Sequence, residues 1–369
     1  FTIAQKIWTA RKEYRDYIDS YQVLGNYKDE SKNTIAVLVV KLKKASSRDR
    51  ARTMQRNFIA NYLSNAEKDA ALVAFYGDDP QDWRFSFVKM EHQLTKDKTG
   101  NAKVLTELTP AKRYSFLVGV NEPNNTCGNQ FRKIIQEENI SPSLKEIEHA
   151  FSIENVTKEF FKRYRDLFLK LNDSLNNVIK NDSKVRNELN DRGIDTQDFT
   201  KKLLGQIVFL YFLQKKGWLG VEKDDSGKFK SWGTGPKDFM RCLFGDKKKK
   251  NKPLVPYENF FNEILEPLFY ETLATDRDDD YSHIFKCKIP FLNGGLFEPI
   301  NQYNWRETDI LIDNNIFKDI FGVFDEFNFT VKEDEPLEKE VAVDPEMLGK
   351  VFENLLDIKD RKSKGAYYT

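Results

Sequence analysis

The chain contains 369 residues with a formal net charge of +1, and 32% of its residues are charged. The length predicts two or three domains, and the balanced charge argues against a basic field over the whole molecule as the basis of nucleic-acid binding. Three widely spaced cysteines argue against a disulfide framework and a zinc site, and no apolar run is long enough to cross a membrane. We therefore expect a cytoplasmic protein.

The first 140 residues predict a small domain built on a mixed sheet. Apolar residues recur at helical spacing over residues 1–20 and again over residues 48–63. The segment from Ile35 to Lys43 is short and rich in β-branched residues, which favours a strand. Further strand-like runs follow at 70–76, 83–91 and 114–120.

The arrangement of strands around the helix at 48–63 resembles the core of PD-(D/E)XK nucleases, in which strand, strand, helix, strand and strand follow one another. In that fold an Asp on one strand and an acid on the next hold Mg²⁺, and a lysine two positions after the second acid acts on water. The resemblance implies that Asp29 is a catalytic residue and metal ligand, that Lys43 is the catalytic lysine, and that Gln55 faces the same site.

Lys41 stands two positions before Lys43, where the nuclease pattern has an acid. A lysine there repels Mg²⁺, because two unit charges ~4 Å apart interact by about 4 kcal/mol at an effective dielectric constant of ~20. Two interpretations stay open: a site completed by an acid that the pattern does not identify, and a degenerate site. Both predict a nuclease-like fold.

The helix predicted over 48–63 also has a basic face. Its arginines could contact phosphate, or they could be solvated, and the sequence favours neither alternative. The same alternatives apply to Lys112 and Arg113, which precede the strand at 114–120. The arginines of the basic face are Arg48, Arg50, Arg52 and Arg56.

Residues 141–275 have a helical pattern and predict an α-helical connector domain. An amphipathic helix is expected over 160–179, and the most apolar stretch of the chain, 203–220, predicts a central helix. Another helix is expected over 257–273. The predicted fold class is therefore α+β: a small mixed-sheet domain followed by a mainly helical connector.

Residues 276–369 predict a linker region and the beginning of a further domain. An acidic loop is expected over 332–340. Asp344 is a candidate N-cap for a short helix with one apolar stripe. A basic linker and a small-residue turn into two tyrosines follow, and the chain is expected to be cut there.

Three segments resemble parts of large single-chain restriction-modification enzymes of type IIG. They are the blocks 48–122 (ARTMQRNF, WRFSFVK and TPAKRYSFLVG), 203–219 (FLQKKGWL at 212–219) and 289–369 (FLNGGLF at 291–297, and LGKVFENLL with RKSKGAYYT at 348–369). The resemblance implies an N6-adenine DNA methyltransferase that acts on double-stranded DNA with the target base flipped out. It also implies that five residues lie against the S-adenosylmethionine pocket: Gly365, Ala366, Tyr367, Tyr368 and Thr369.

The sequence lacks the Gly-bearing cofactor loop and the Asn-Pro-Pro-Tyr segment of these enzymes. We therefore expect an N-terminal fragment that does not methylate DNA by itself. The expected parts are a nuclease-like domain, a helical connector and the entrance to the methyltransferase, with Mg²⁺ required only if the first domain cuts. The alternative is a non-catalytic DNA-binding or interaction scaffold with a degenerate nuclease fold.

Overall fold

The computed structural model describes residues 7–43, 52–77, 82–90, 94–96, 102–104, 111–120, 122, 124–136, 141–245, 252–292, 294–330 and 337–343. The helix predicted to begin at Asp344 and the turn from Gly365 to Thr369 lie outside the described residues. Arg48 and Arg50 lie outside them as well.

The chain forms two compact units. One contains Phe1–Lys158, Glu326–Asn328 and Lys332–Val343, and the other contains Glu159–Asp325, Phe329–Val331 and Asp344–Thr369. The chain therefore leaves the first unit and returns to it. The predicted division into domains at 1–140, 141–275 and 276–369 stays a prediction.

Strands of the described residues are numbered in chain order. They are β1 (Ile7–Thr9), β2 (Ile18–Lys28), β3 (Thr34–Leu42), β4 (Ala70–Tyr76), β5 (Asp82–Lys89), β6 (Leu94–Lys96), β7 (Ala102–Val104), β8 (Lys112–Gly119), β9 (Tyr281–Ser282), β10 (Cys287–Lys288) and β11 (Glu338–Glu340). Seven of them form one sheet in the order β1-β2-β3-β4-β5-β8-β11. Its β3–β4 and β8–β11 pairs are parallel, and its other pairs are antiparallel.

The helix predicted over residues 1–20 is wrong for its described part. Residues 7–9 form β1, Lys12–Tyr14 form a 3-10 turn, and β2 begins at Ile18. β2 pairs with β3 from Ile18 opposite Leu42 to Lys28 opposite Thr34. This long-range pairing overrides the local helical spacing, because a strand gains its stability from cross-strand neighbours that a sequence window does not contain.

Helix α1 (Arg52–Ala66) connects the parallel strands β3 and β4 and covers one face of the sheet. Its buried Phe58, Ile59 and Leu63 belong to the same apolar core as Leu38, Val40, Val73 and Phe75. These sheet residues alternate along their strands, as expected for one face of a sheet. The opposite face carries an aromatic cluster that includes Phe85, Phe116, Phe131 and Phe151.

Helices α2 (Asn125–Gln136), α3 (Leu144–Ala150) and α4 (Ile153–Asn181) follow the sheet in the chain. The later helices are α5 (Ser183–Asp191), α6 (Thr196–Lys216), α7 (Phe239–Phe244) and α8 (Asn314–Phe324). The helices predicted at 160–179 and 203–220 are confirmed. Gly217 ends α6 in the left-handed conformation, at φ 68°, which a side chain disfavours. Among the described helices, none is long and apolar enough to cross a membrane.

The helix predicted at 257–273 contains two π-helical segments, Phe261–Leu265 and Pro267–Leu273. Glu266 lies between them and is fully buried. The Tyr303 hydroxyl donates to Oε1 of Glu266, whereas Oε2 has no hydrogen-bond partner among the described residues. Burial raises the pKa of Glu266 well above its usual range, and the negative charge of Asp309 adds to the rise.

These observations confirm the predicted fold class. The sheet of the first unit has both parallel and antiparallel pairs, and helices dominate the second unit. The protein is therefore of the α+β class, with a mixed-sheet part followed by a mainly helical part.

We expect Glu266→Gln to stabilise the helical unit at neutral and alkaline pH, by roughly 1–2 kcal/mol. Above about pH 4.3 the unfolded chain releases the Glu266 proton while the folded chain retains it, so the native protein loses stability as the pH rises. The gain from Glu266→Gln should therefore be small near pH 4 and larger at pH 8. Thermal unfolding across this pH range measures it.

The matched control is Glu271→Gln on the same helical segment. The Glu271 side chain is 42% exposed and lies 3.0 Å from Nη2 of Arg306, so its loss should change stability by less than about 1 kcal/mol at either pH. Equal effects of the two substitutions would contradict the assignment of the pH dependence to Glu266.

Candidate functional site in the mixed sheet

Asp29 lies in the turn between β2 and β3 and is 5% exposed. Its Oδ1 accepts from the Asn33 backbone N–H at 2.7 Å, and its Oδ2 accepts from the Asn33 side chain at 2.8 Å. Oδ2 also accepts from the Leu144 backbone N–H at 2.9 Å, at the start of α3. The hydrogen bonds from Asn33 and Leu144 lower the pKa of Asp29. Asp29 therefore fastens the turn to α3.

Lys43 directly follows the opposite end of β3. The eight residue steps from Thr34 to Leu42 span about 27 Å of extended chain. Lys43 is exposed, and its backbone N–H donates to the Tyr17 carbonyl at 3.0 Å. The structure therefore does not bring Asp29 and Lys43 together, and the catalytic role predicted for them stays a prediction.

Lys41 has an acidic neighbour that the sequence analysis did not identify. Its Nζ lies 3.4 Å from Oδ2 of Asp19 on β2, and both side chains are about half exposed, at 45% and 44%. Asp19 lies at an irregularity of the β2–β3 register, between Ile18 and Ser20. The incorrect prediction of a helix over residues 1–20 did not indicate this contact, because it placed Asp19 on a helix instead of on the strand next to Lys41.

The donors next to Lys41 do not fit the two-acid Mg²⁺ site of the nuclease pattern. Among the described residues, the carboxylate paired with Lys41 is that of Asp19, and it lies against an ammonium group. Within the described ranges, no three His, Cys, Asp or Glu side chains are grouped so that they could hold a metal ion. We therefore derive no metal-dependent step from this pair.

Gln55 lies on α1 and is completely buried. Its Oε1 accepts from Nη1 of Arg113 at 3.1 Å, so it belongs to a polar cluster on the face of the sheet that α1 covers. Val88 of β5 pairs with Arg113 and belongs to the apolar core beneath α1, so Arg113 lies on the face that α1 covers. By the strand register, the same face carries Arg84 and Ser86 of β5, Ser115 of β8, and Glu338 and Glu340 of β11. The hydroxyls of Ser86 and Ser115 lie 2.8 Å apart.

Three arginines surround the carboxylate of Glu338. Nη2 of Arg113 donates to Oε2 at 3.0 Å. Nε of Arg52 lies 3.4 Å from Oε2, and Nη1 of Arg56 lies 3.6 Å from Oε1. Glu340 makes a second ion pair, with Arg84 at 3.7 Å. Arg84, Arg113 and Glu338 are at most 1% exposed, so the cluster is an internal part of the unit.

The charges of the cluster depend on one another. Burial lowers the pKa of Arg113 to about 9, and the positive charges of Arg84 and Arg52 act in the same direction. Glu338 opposes this shift. Arg113 is therefore still charged at neutral pH. Removal of one partner from such a buried pair typically destabilises a protein by about 3–5 kcal/mol.

Residues of the segments that return to the first unit, Asn328 and 337–341, also cover the outer edge of β8. The Arg113 N–H donates to the Leu337 carbonyl, and the Val341 N–H donates to the Ser115 carbonyl, at 2.9 and 2.7 Å. Further along β8, Nδ2 of Asn328 donates to the Leu117 carbonyl at 2.9 Å. Backbone groups of a sheet edge that would otherwise be open to pairing are thus satisfied within the unit.

The structure corrects two expectations about this region. Arg52, Arg56 and Arg113 face Glu338, instead of the phosphate or solvent that the sequence left open. The acidic loop predicted over 332–340 is wrong for its last three residues, which form β11 with Glu338 and Glu340 buried. Glu338, Lys339 and Glu340 are all charged, so no local apolar pattern indicates this strand, which depends on pairing with β8. The residues predicted to contact the cofactor, Gly365 to Thr369, lie outside the described residues.

Comparison with known proteins gives one informative similarity. No protein-family model and no solved structure matches the chain. The chain is 30% identical over 261 residues to a protein of Methanocaldococcus jannaschii named "Putative type II restriction enzyme and methyltransferase". The match covers 65% of this chain and 20% of that protein, so the chain spans about a fifth of its relative's length.

We expect Asp29→Ala to lower the midpoint of thermal unfolding, because Asn33 and Leu144 lose their acceptor. Hydrogen bonding lowers the folded-state pKa of Asp29, so its contribution is present above the unfolded pKa of about 3.9 and is lost as the pH falls through the folded pKa. The difference from the native protein should therefore shrink on acidification. Glu30→Ala, at the exposed neighbouring position, is the control. Lost DNA cleavage with unchanged stability would instead support a catalytic Asp29.

Proposed function

We propose that this chain is the part of a type IIG-like restriction-modification enzyme that precedes the methyltransferase domain. The proposal assigns a PD-(D/E)XK-like domain to 1–140, a helical connector to 141–275, and a linker with the entrance to the methyltransferase to 276–369. The complete protein would place a methyl group on N6 of adenine in double-stranded DNA. DNA is the proposed partner of both the chain and the complete protein.

The main support is the agreement between the sheet and the similarity to the archaeal protein. The order β2, β3, α1, β4, β5 matches the strand, strand, helix, strand, strand order of the nuclease core. The β2–β3 and β4–β5 pairs are antiparallel, whereas β3 and β4, joined through α1, are parallel. The relative named as a restriction enzyme and methyltransferase matches 65% of the chain.

The cofactor of the proposed reaction is S-adenosylmethionine, which supplies the methyl group when it is bound. The residues proposed to contact it, from Gly365 to Thr369, are carried over from the matching segment RKSKGAYYT. Mg²⁺ belongs to the proposal only if the N-terminal domain cuts DNA. The Asp19–Lys41 pair does not provide that ion with two carboxylates.

A second candidate function is a DNA-binding or interaction scaffold with a degenerate nuclease fold. Two observations favour it. Asp29 and Lys43 lie at opposite ends of β3, and the position where the pattern has an acid is occupied by Lys41, which pairs with Asp19. In this case the first domain would hold DNA for the methyltransferase without cutting it.

The test uses the full-length protein with duplex DNA of mixed sequence, S-adenosylmethionine and Mg²⁺. Methylation is measured by transfer of labelled methyl groups to adenine, and cleavage by conversion of supercoiled plasmid. We expect adenine methylation by the native protein. If the first domain cuts through the surface at Asp19 and Lys41, Asp19→Asn should reduce cleavage at least tenfold and leave methylation unchanged.

The controls separate a role in cleavage from a role in folding. Asp19 forms a half-exposed ion pair, so its substitution should change stability by less than about 1 kcal/mol. Lys28→Ala alters an exposed lysine at the other end of the same hairpin and should change neither activity. Lys43→Ala tests the predicted lysine directly. Methylation without cleavage in all proteins supports the scaffold, and absence of both activities overturns the proposed function.

A further inference from the structure

The arginines around Glu338 do not all lie at hydrogen-bond distance from its carboxylate. Of these three arginines, Arg113 donates a hydrogen bond to the Glu338 carboxylate at 3.0 Å, while Arg52 and Arg56 lie at the longer distances of 3.4 and 3.6 Å. Oε1 of Glu338 and Nε of Arg52 are both buried and have no hydrogen-bond partner among the described residues. Three guanidinium groups thus surround one carboxylate, and at least one of their donors, Nε of Arg52, is left without a hydrogen bond among the described residues.

The guanidinium groups of Arg52, Arg56 and Arg113 are here called the cradle. Its size and charge fit an oxyanion larger than a carboxylate. A phosphate group has more acceptor oxygens than a carboxylate, and those oxygens point in tetrahedral directions. Guanidinium groups recognise phosphate through paired N–H donors. Arg52, Arg56 and Arg113 together carry three positive charges, which can balance a phosphate better than they balance one carboxylate.

The cradle is closest to solvent at α1. The side chains of Arg52 and Arg56, at the start of this helix, are 12% and 9% exposed, whereas those of Arg113 and Glu338 are 1% and 0% exposed. An anion that approached from solvent would therefore meet the arginines of α1 first. Glu338 closes the cradle from the sheet side.

The element that carries Glu338 is small. β11 has three residues and pairs with one neighbour, β8, in parallel. Glu338 and Glu340 face the cluster, and the ion pairs of Glu338 are its main link to α1. Among the described strands, β11 is one of two three-residue edge strands of this sheet, so its separation would break few backbone hydrogen bonds.

We propose that Arg52, Arg56 and Arg113 form a phosphate-binding site and that Glu338 is its internal competitor. In the closed state the Glu338 carboxylate occupies the cradle and holds β11 on the sheet. A phosphate group that binds the three arginines displaces Glu338 and releases β11. The assignment of that phosphate to the DNA backbone rests on the proposed function, while the site itself does not.

The first test is anion rescue of the full chain carrying Glu338→Ala. This substitution leaves the cradle without its anion, so inorganic phosphate should raise the midpoint of thermal unfolding by roughly 5 °C more than it does for the native chain. Sodium chloride at matched ionic strength should not produce this difference. Lys339→Ala, on the same strand with its side chain on the opposite face, should respond like the native chain.

A second substitution shows whether the bound anion lies in the cradle. Arg52→Gln combined with Glu338→Ala should remove most of the extra stabilisation by phosphate. If Glu338→Ala does not fold, Glu338→Gln keeps the side-chain volume without the charge and serves in its place. Equal effects of phosphate and chloride, or rescue that survives Arg52→Gln, would overturn the site.

A DNA-binding experiment tests whether the phosphate that occupies the site belongs to the DNA backbone. Binding of a short labelled duplex is measured by fluorescence anisotropy over a range of salt concentrations. Glu338→Gln should lower Kd about tenfold and steepen the logarithmic salt dependence by about 1, as expected for one more phosphate contact. Arg52→Gln should reverse both effects.

The phosphate-rescue and DNA experiments distinguish a failure of the phosphate-binding site from a failure of the proposed function. Phosphate rescue without any gain in DNA affinity supports the anion site and overturns DNA as its ligand. Methylation of DNA by the complete protein without phosphate rescue supports the proposed function and overturns the site.

Discussion

The Glu338 carboxylate is the charge on which the first unit depends. It meets Arg113, Arg52 and Arg56 at a position where the Glu338 side chain is fully buried. An arginine buried in this way without an anion would be strongly disfavoured, because desolvation penalises the charged form. The sheet can keep Arg113 inside only because a strand that is 225 residues further along the chain returns with a carboxylate.

This dependence explains why α1 has two different halves. Toward β3 and β4 it packs Phe58, Ile59 and Leu63 into an apolar core. Toward β8 and β11 it presents Arg52, Gln55 and Arg56 to buried polar groups. The apolar half supplies stability without directional requirements, whereas the polar half is stable only when its partners are correctly placed. The same helix thus anchors the sheet and fixes where β11 must lie.

Asp29 and Asp19 of the β2–β3 hairpin differ in burial and in hydrogen bonding. Asp29 is enclosed and accepts three hydrogen bonds from Asn33 and Leu144, so its oxygens are used in holding the turn. Asp19 is half exposed and has an ion pair with Lys41 that contributes little to stability. Because the Asp19–Lys41 pair lies at the surface, substitution of Asp19 tests this part of the sheet with little effect on stability.

The sequence by itself determined the α+β class, the strands at 70–76 and 114–120, and the helices at 160–179 and 203–220, because each is encoded by a local run or period of apolar residues. It also contained the segments that resemble restriction-modification enzymes. Only the tertiary structure decided that Ile18–Lys28 is a strand, that Asp19 lies beside Lys41, and that Glu338 meets the arginines of α1 and β8. These features depend on contacts between residues far apart in the chain, and local spacing carries no information about which distant charge will be buried against which partner.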